Sequence, residues 1–386
     1  MMHKKLVWNR LIAQSQIKEV LSQAFNGNTL GHAYLFCGET GTGTFQAALE
    51  LGMAMLCVAG GEAPCYSCES CQKVLRHAHA DFHVIVPVSL DKEHRGADGK
   101  LNAEGWNFLA ETALARIGDP YVQTKYSSAP SIPVEWVKEV NHAILRGPVS
   151  GAHTVAIIDC VDIMNKESAN AMLKTLEEPP AGTLIILLTS RPQTLLPTIA
   201  SRCQTARLGW LPPEQIRRAL DVRLGESVSE TIRLEAVKYC DGSLGRAIEL
   251  CEKPSGTLTE EALRLLQECS AGDWLPLAVH VDEMVRQADY EHNERLLLHL
   301  IHLIRTHFLQ KITPSGTYFD MMGAAGGTTG VQRPISATLV STPDIAARFV
   351  AACQDALSGI RVHGNASIVL VTFIISLMEI VHEQKQ

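Results

Sequence analysis

Residues 38 to 45 read GETGTGTF and have the spacing of a phosphate-binding loop, but two of the side chains that such a loop uses are absent. In G-x-x-x-x-G-K-[ST] the backbone amides cradle phosphate oxygens, the lysine reaches the outer phosphates and the hydroxyl binds Mg²⁺. Gly38 and Gly43 hold the two fixed glycine positions and Gly41 lies between them, while Thr44 stands for the lysine and Phe45 for the metal ligand. Losing a charge-assisted hydrogen bond costs roughly 1.5–3 kcal/mol of binding, and an aromatic ring in place of a metal-bound hydroxyl adds a steric obstacle. The loop is therefore expected not to hydrolyse ATP. A glycine-rich turn without any phosphate ancestry is the alternative reading.

A second cluster has metal chemistry. Cys57, Cys65, Cys68 and Cys71 form C-x7-C-x2-C-x2-C, a spacing that sets three thiolates on a tight turn and the fourth at the end of the preceding helix. That suits tetrahedral Zn²⁺ in a closed, structural site. An iron–sulfur cluster fits less well, because the fourth cysteine of the ferredoxin run, followed by proline, is missing; free thiols are the remaining reading. His77, His79 and His83 are spare ligands on sequence grounds, more simply read as surface and strand residues.

Behind these residues lies an alternation of strands and helices. HAYLFC (His32 to Cys37) precedes the glycine loop, and Phe45, Leu49, Leu51, Met53 and Leu56 follow it at helical spacing, so strand, loop and helix come in the order a phosphate loop needs. An earlier helix from Ser15, its expected N-cap, places Ile17, Val20, Leu21, Ala24 and Phe25 on one face and ends at Gly27. Asp81 to Pro87 reads as a strand, Pro133 opens a helix through Val134, Val137, Val140 and Ile144, and Thr154 to Asp159 is a strand ending in an acid. Asn165 to Pro180 is a helix stopped by paired prolines, and the apolar run Leu184 to Leu188 is a strand buried on both faces that ends at Thr189. The pattern predicts a parallel sheet wound on both sides, with the glycine loop, Asp159 and Thr189 converging at the carboxyl ends of its strands. The polar stretch from Ser89 to Ser131 interrupts it and is expected to be a surface insertion or partly disordered, with no function assigned.

After Pro212 only helical patterns remain, a small lid to about Lys253 and a separate helical domain beyond it. Its last helix, Asn365 to Gln384, is apolar nearly all round; the run from Ile368 to Met378 is too short for a bilayer. A net charge of −7 and an isoelectric point near 6.1 do not advertise nucleic-acid binding, so any DNA contact must be local or shared with partners. The cytoplasm is the expected location: the N-terminus lacks the apolar core of a signal peptide, and no stretch approaches a membrane span. Eleven cysteines then read as ligands or buried thiols more readily than as disulfides.

HAYLFCGETGTG, the four-cysteine knuckle, NAMLKTLEEPP and Ser201-Arg202-Cys203 stand in an order and spacing that resembles the AAA+ subunits of the bacterial DNA polymerase III clamp loader, and the loop without lysine points to the delta-prime type. The resemblance covers most of the chain. It implies an α/β P-loop NTPase-like (AAA+) parallel-sheet domain over residues 1–211 with an inserted zinc knuckle at 57–71. A helical lid would follow over 212–255, and an all-α collar over 256–386 that joins subunits into a ring-like pentamer, with a flexible glycine-rich link at Met321 to Gly330.

The resemblance also implies roles for single residues. The family's D-E-x-D is Asp159-Cys160-Val161-Asp162 here, so the catalytic glutamate is missing as well as the lysine, and Cys160 has no evident reason. Thr189 matches the γ-phosphate sensor and Arg246 in GSLGRA matches the lid arginine; both are expected to be remnants. Arg202 would act in trans at the ATP site of a neighbouring subunit, a role associated with rate effects of ~10³–10⁵; the alternative is an ordinary ion pair with a carboxylate at the sheet edge. The implied partners are gamma/tau and delta subunits, the sliding clamp and, through the complex, primer-template DNA. An ATP-hydrolysing gamma-like subunit is one competing reading. The other is an independent zinc-stabilised DNA-binding module with Lys73, Arg76 and His77 gripping phosphates.

Overall fold

The structure is a computed structural model that describes residues 4–252 apart from 123, 125 and 127–129, then 256–271, part of 276–304, 343–361 and 366–383. Its contacts divide the chain into two compact units, one of residues 1–227 with 242–249 and one of 228–241 with 250–386.

The first unit is built on β2 (Ala33–Cys37), β4 (Phe82–Ile85), β5 (Thr154–Ile158), β6 (Thr183–Thr189) and β7 (Gln204–Arg207). They lie side by side in the order β4-β5-β6-β2-β7, and every pairing is parallel. Parallel strands need crossover connections that cover both faces of the sheet. The central strands β2, β5 and β6 are accordingly buried along their whole length. The chain runs from β2 to the far edge at β4, returns through β5 and β6, and passes over β2 to β7. The strand order therefore reverses beside β2, which is where a sheet of this kind opens a crevice at its carboxyl edge.

α2 (Thr44–Leu56) is buried almost all round, as its apolar composition demands. Gly52 lets it approach the sheet closely, since a Cβ there would come within 2.9 Å of Val155. α5 (Val134–Arg146) buries Trp136, Val137, Val140 and Ile144. α6 (Lys166–Glu177) is capped by the Asn165 side chain, which accepts from the Ser168 amide at 2.8 Å, and it ends just before Pro179 and Pro180.

Several sequence expectations change. In α1 (Ser15–Asn26) Ser15 is the first helical residue and not the cap: Gln14 caps in a left-handed conformation, φ 58°, without a side-chain bond to the helix. Its amide nitrogen instead donates to the Gly209 carbonyl at 2.7 Å. Ile17 and Leu21 are buried as expected, but Val20 is 58% exposed. Short β1 (Lys4–Leu6) and β3 (Gly61–Ala63) pair in parallel as a separate ribbon, and neither they nor β7 has an apolar pattern to announce it.

The largest correction concerns Ser89 to Ser131. Its described part holds α4 (Ala103–Gly118), whose cap Asn102 accepts from the Gly105 amide at 2.8 Å. Leu109, Ala113 and Ile117 of this helix belong to the main core. Their spacing of four residues puts them on one helical face; Trp106 and Leu114 are apolar but exposed on the others, which blurs the periodicity in the sequence.

α3 (Glu69–Leu75), α7 (Pro197–Ala200) and α8 (Pro213–Leu224) complete the first unit together with the first part of α10 (Leu244–Glu252). The second unit holds α9 (Glu230–Tyr239), α11 (Gly256–Ala271) and the helices Pro343–Arg361 and Ala366–Glu383. Its own core includes Leu265, Leu297, Leu300, Phe349, Leu370, Phe373 and Leu377. Along Ala366–Glu383, Ile368, Val371 and Ile375 remain exposed. Met321 to Gly330 lies outside the described residues, and no helix among the described residues is long and apolar enough to cross a membrane.

Candidate functional site: a covered phosphate loop

The glycine loop leaves β2 and enters α2 at the strand-order reversal. Other parts of the same chain lie against it. Gly41, Thr42, Gly43 and Thr44 are all buried. A Cβ on Gly43 would meet Leu11 at 3.0 Å and the Tyr121 ring at 3.2 Å, and one on Gly41 would overlap the Ser243 hydroxyl. Both glycines have positive φ, 79° and 104°, which other residues rarely adopt. Ser243 donates to the Thr40 carbonyl at 2.8 Å, and the amide of Leu244 donates to the Gly41 carbonyl at 3.0 Å. The start of α10 is thereby hydrogen-bonded onto the loop, and the Ser243 hydroxyl also accepts from the Arg246 amide at 3.2 Å.

Tyr121 holds the other side. Its hydroxyl accepts from the Ile12 amide at 2.9 Å and donates to the Arg10 carbonyl at 3.1 Å. Burial, with the Glu50 charge nearby, raises its pKa well above that of free tyrosine despite the Ile12 amide, so it remains a neutral hydroxyl.

The acids that would hold metal are engaged internally. Asp159, at the end of β5, pairs through Oδ2 with Arg116 Nε at 2.7 Å, and both side chains are nearly buried. Its Oδ1 accepts the Cys160 amide at 3.0 Å. Cys160 takes a left-handed conformation, φ 49°, at the strand end, and burial followed by the Asp159 and Asp162 charges pushes its thiol far up. Asp162 accepts the Thr189 hydroxyl at 2.6 Å and pairs with Arg191 at 2.6 Å. Each carboxylate of the Asp159–Asp162 pair therefore has a guanidinium, and the Thr189 hydroxyl is used within the chain.

The four expected cysteines do come together. One sulfur from each of Cys57, Cys65, Cys68 and Cys71 lies within 4.8 Å of all the others, with Cys57 and Cys68 at 3.8 Å and Cys65 and Cys71 at 4.0 Å. Four ligands at 2.3 Å from a tetrahedral Zn²⁺ have edges of about 3.8 Å, so the donor set fits that ion. Cys57 follows the last residue of α2, Cys65 and Cys68 lie in the loop, and Cys71 is in the first turn of α3, so the knuckle is braced by two helices. Amides are aimed at the sulfurs: Cys68 N donates to Cys65 Sγ at 3.2 Å and Cys71 N to Cys68 Sγ at 3.5 Å. Burial alone would raise the Cys65 thiol, but hydrogen bonds from Ser67 and Cys68 outweigh it and hold it down at about 6. His77, His79 and His83 are not part of this group.

The sequence model for "DNA polymerase III, delta subunit" matches residues 13–211, the stretch that carries the covered loop, the knuckle and the paired acids. The chain is a member of that family, of the delta-prime type. It is 30% identical over 207 residues to the DNA polymerase III subunit delta' of Bacillus subtilis, a match covering 54% of this chain and 51% of that one. It is also 30% identical over 243 residues to the subunit tau of Escherichia coli, covering 61% of this chain and 31% of that one. The delta-prime-type chain thus spans about half the length of its delta' relative and a third of tau. Among solved structures it is similar to a gamma-subunit-related protein of Thermotoga maritima, with 15% identity, a TM-score of 0.39, and coverage of 95% and 98% of the two chains.

In this delta-prime-type chain Arg202 follows α7. It donates to the Thr198 carbonyl at 2.6 Å and pairs with Glu177 at the end of α6, with about a third of its side chain exposed. It is not brought to Asp159 or to the loop. Sequence reasoning missed Arg116 and Glu50. Glu50 is fully buried in the middle of α2 and accepts the amides of Asn9 at 3.1 Å, Arg10 at 2.6 Å and Leu11 at 3.3 Å, as well as the Tyr66 hydroxyl of the knuckle. The signal was available: a lone acid inside TFQAALELGMAML has no aqueous face to occupy.

Proposed function

We propose that the chain is a non-hydrolysing delta-prime-like subunit of the DNA polymerase III clamp loader. In this reading an AAA+ scaffold assembles with gamma/tau and delta subunits through its 256–386 collar and carries Zn²⁺ on Cys57, Cys65, Cys68 and Cys71 as a structural ion. It lends Arg202 to the ATP site of the adjacent subunit while the complex places a sliding clamp on primer-template DNA. The observation that carries the reading is the burial of Gly41–Thr44 under Leu11, Tyr121 and the start of α10. A backbone cradle already occupied by its own chain, without a lysine to draw in the outer phosphates, has little to offer a triphosphate. Thr189 and Arg246 then serve the fold, the first through Asp162 and the second through the helix that lies on the loop.

Zinc at the knuckle would hold the thiolates of α2 and α3 together and so fix the start of β3. With all four positions filled by protein, such an ion has no site for water or substrate and contributes stability only.

Arg202 is poised for use outside its own subunit. It is half-buried on a carboxylate in the free chain, an arrangement of low energetic cost to leave because partly exposed ion pairs contribute only ~0–1 kcal/mol. A gamma/tau-like ATPase is the second reading, favoured by the similarity to tau subunits; Thr44 and Phe45 weigh against it. Reconstitution with the ATPase partner tests the proposal: DNA-stimulated hydrolysis is expected to fall when Arg202→Ala replaces the native chain. Equal turnover with both would refute the trans-arginine role.

A further inference from the structure

We infer that the strand-end acid Asp159 has become a guanidinium site, and that its ligand is the chain's own Arg116, delivered by the helix inserted between β4 and β5. The inference rests on the reading that the loop holds no nucleotide, and it explains what holds the same space instead.

A guanidinium has five N–H donors in a planar fork and two faces that favour aromatic rings. Arg116 is 8% exposed, and the site engages Nε, one terminal nitrogen and one face. Nε donates to Asp159 Oδ2 at 2.7 Å. One terminal nitrogen donates to the carbonyls of Pro120 at 2.8 Å, Val122 at 3.0 Å and Asp119 at 3.3 Å. The guanidinium carbon lies 4.3 Å from the centre of the Phe45 ring, within the range of a cation–π contact. Oδ1 of Asp159 is held by the Cys160 amide, which leaves Oδ2 to face Arg116. The carbonyl acceptors come from the turn that follows α4, so the helix supplies both the cation and part of its cage.

Phe45 thereby acquires a reason. At the position where a phosphate loop has a metal-binding hydroxyl, the ring removes the metal ligand and gives the guanidinium a π-face in one substitution. A divalent ion in its place would want oxygen ligands at ~2.0–2.1 Å in an octahedron. Asp159 is the carboxylate here, the other oxygens on the guanidinium being the neutral carbonyls of Asp119, Pro120 and Val122, and the Phe45 ring lies where a metal-binding hydroxyl should be. The buried carboxylate needs a counter-charge, and the site is shaped for a flat monocation.

The test uses the full chain. Arg116→Ala leaves Asp159 buried without its partner and is expected to lower the melting temperature by roughly 6–20 °C. Methylguanidinium at millimolar concentration should then restore part of that loss saturably, relative to its effect on the native chain, whereas equal concentrations of methylammonium or MgCl₂ should not. Rescue should vanish in Arg116→Ala with Asp159→Asn. Arg116→Lys keeps the charge but lacks the fork, and it should melt well below native; this variant decides the matter if Arg116→Ala does not fold. Absence of rescue by methylguanidinium, equal rescue by Mg²⁺, or a lysine variant as stable as native would each overturn the inference. Nucleotide binding by the native chain would instead refute the reading beneath it, and is measured separately.

Discussion

Replacing Glu50 by alanine removes an acceptor that four donors share: the amides of Asn9, Arg10 and Leu11 and the Tyr66 hydroxyl. Asn9 and Arg10 are exposed and their amides can turn to water, but Leu11 is 4% exposed and Tyr66 lies under the Arg10 guanidinium at 4.5 Å. Two donors are therefore stranded, each at about 1–3 kcal/mol, for a total of roughly 4 kcal/mol. In a unit of this size a loss of 1 kcal/mol lowers the melting temperature by about 2–4 °C, so Glu50→Ala should melt about 8–16 °C below native. Glu50→Gln keeps one acceptor oxygen and should lose about half as much. Thermal unfolding followed by circular dichroism reads both. An alanine variant melting within about 2 °C of native would refute the reasoning that Glu50 ties the N-terminal segment and the knuckle to α2.

Metal analysis of the purified chain should find one zinc, lost together with thermal stability in Cys71→Ser; full stability without metal would contradict the structural role of the knuckle. In the reconstituted complex Arg202→Ala should slow hydrolysis at the neighbouring site by on the order of 10³-fold, as read by phosphate release on primed DNA. The second unit should show a pH optimum. Burial alone would raise the Glu261 carboxyl, but hydrogen bonds from His280 and His292 hold it down at about 2, and Glu261 and Glu268 raise His280 above its ordinary 6.5 despite burial. The Glu261 contribution is present above its ordinary 4.5 and is lost as pH falls toward 2; the His280 contribution is present below 6.5 and is lost as pH rises through the raised value. Stability of that unit should be greatest between those limits, and His280→Gln should flatten the alkaline side; an unchanged alkaline side in that variant would contradict the assignment.

The sheet was legible because its strands are buried on both faces and so read as apolar runs, and the knuckle because thiolate spacing reports metal geometry directly. α4 was not, since its buried residues Gly105, Leu109, Ala113, Arg116 and Ile117 share the helix with exposed Trp106 and Leu114, which obscure the stripe; Arg116 lies on that same stripe, which was the available clue. β7, reading QTAR, has no apolar pattern and owes its existence to the ladder with β2. The identities of Thr44 and Phe45 told what the loop lacks. What covers it was hidden, because Leu11, Tyr121 and Ser243 are brought there only by tertiary packing. Arg202 pairs with a carboxylate, as the alternative reading allowed, but that carboxylate is Glu177 at the end of α6, which the sequence did not single out.

The central claim is that the phosphate loop of this chain is filled by its own residues. A titration of the isolated full-length chain with Mg·ATP, followed by calorimetry and by phosphate release, tests it most directly. The account predicts no saturable binding below millimolar nucleotide and no hydrolysis; micromolar binding with turnover would contradict it.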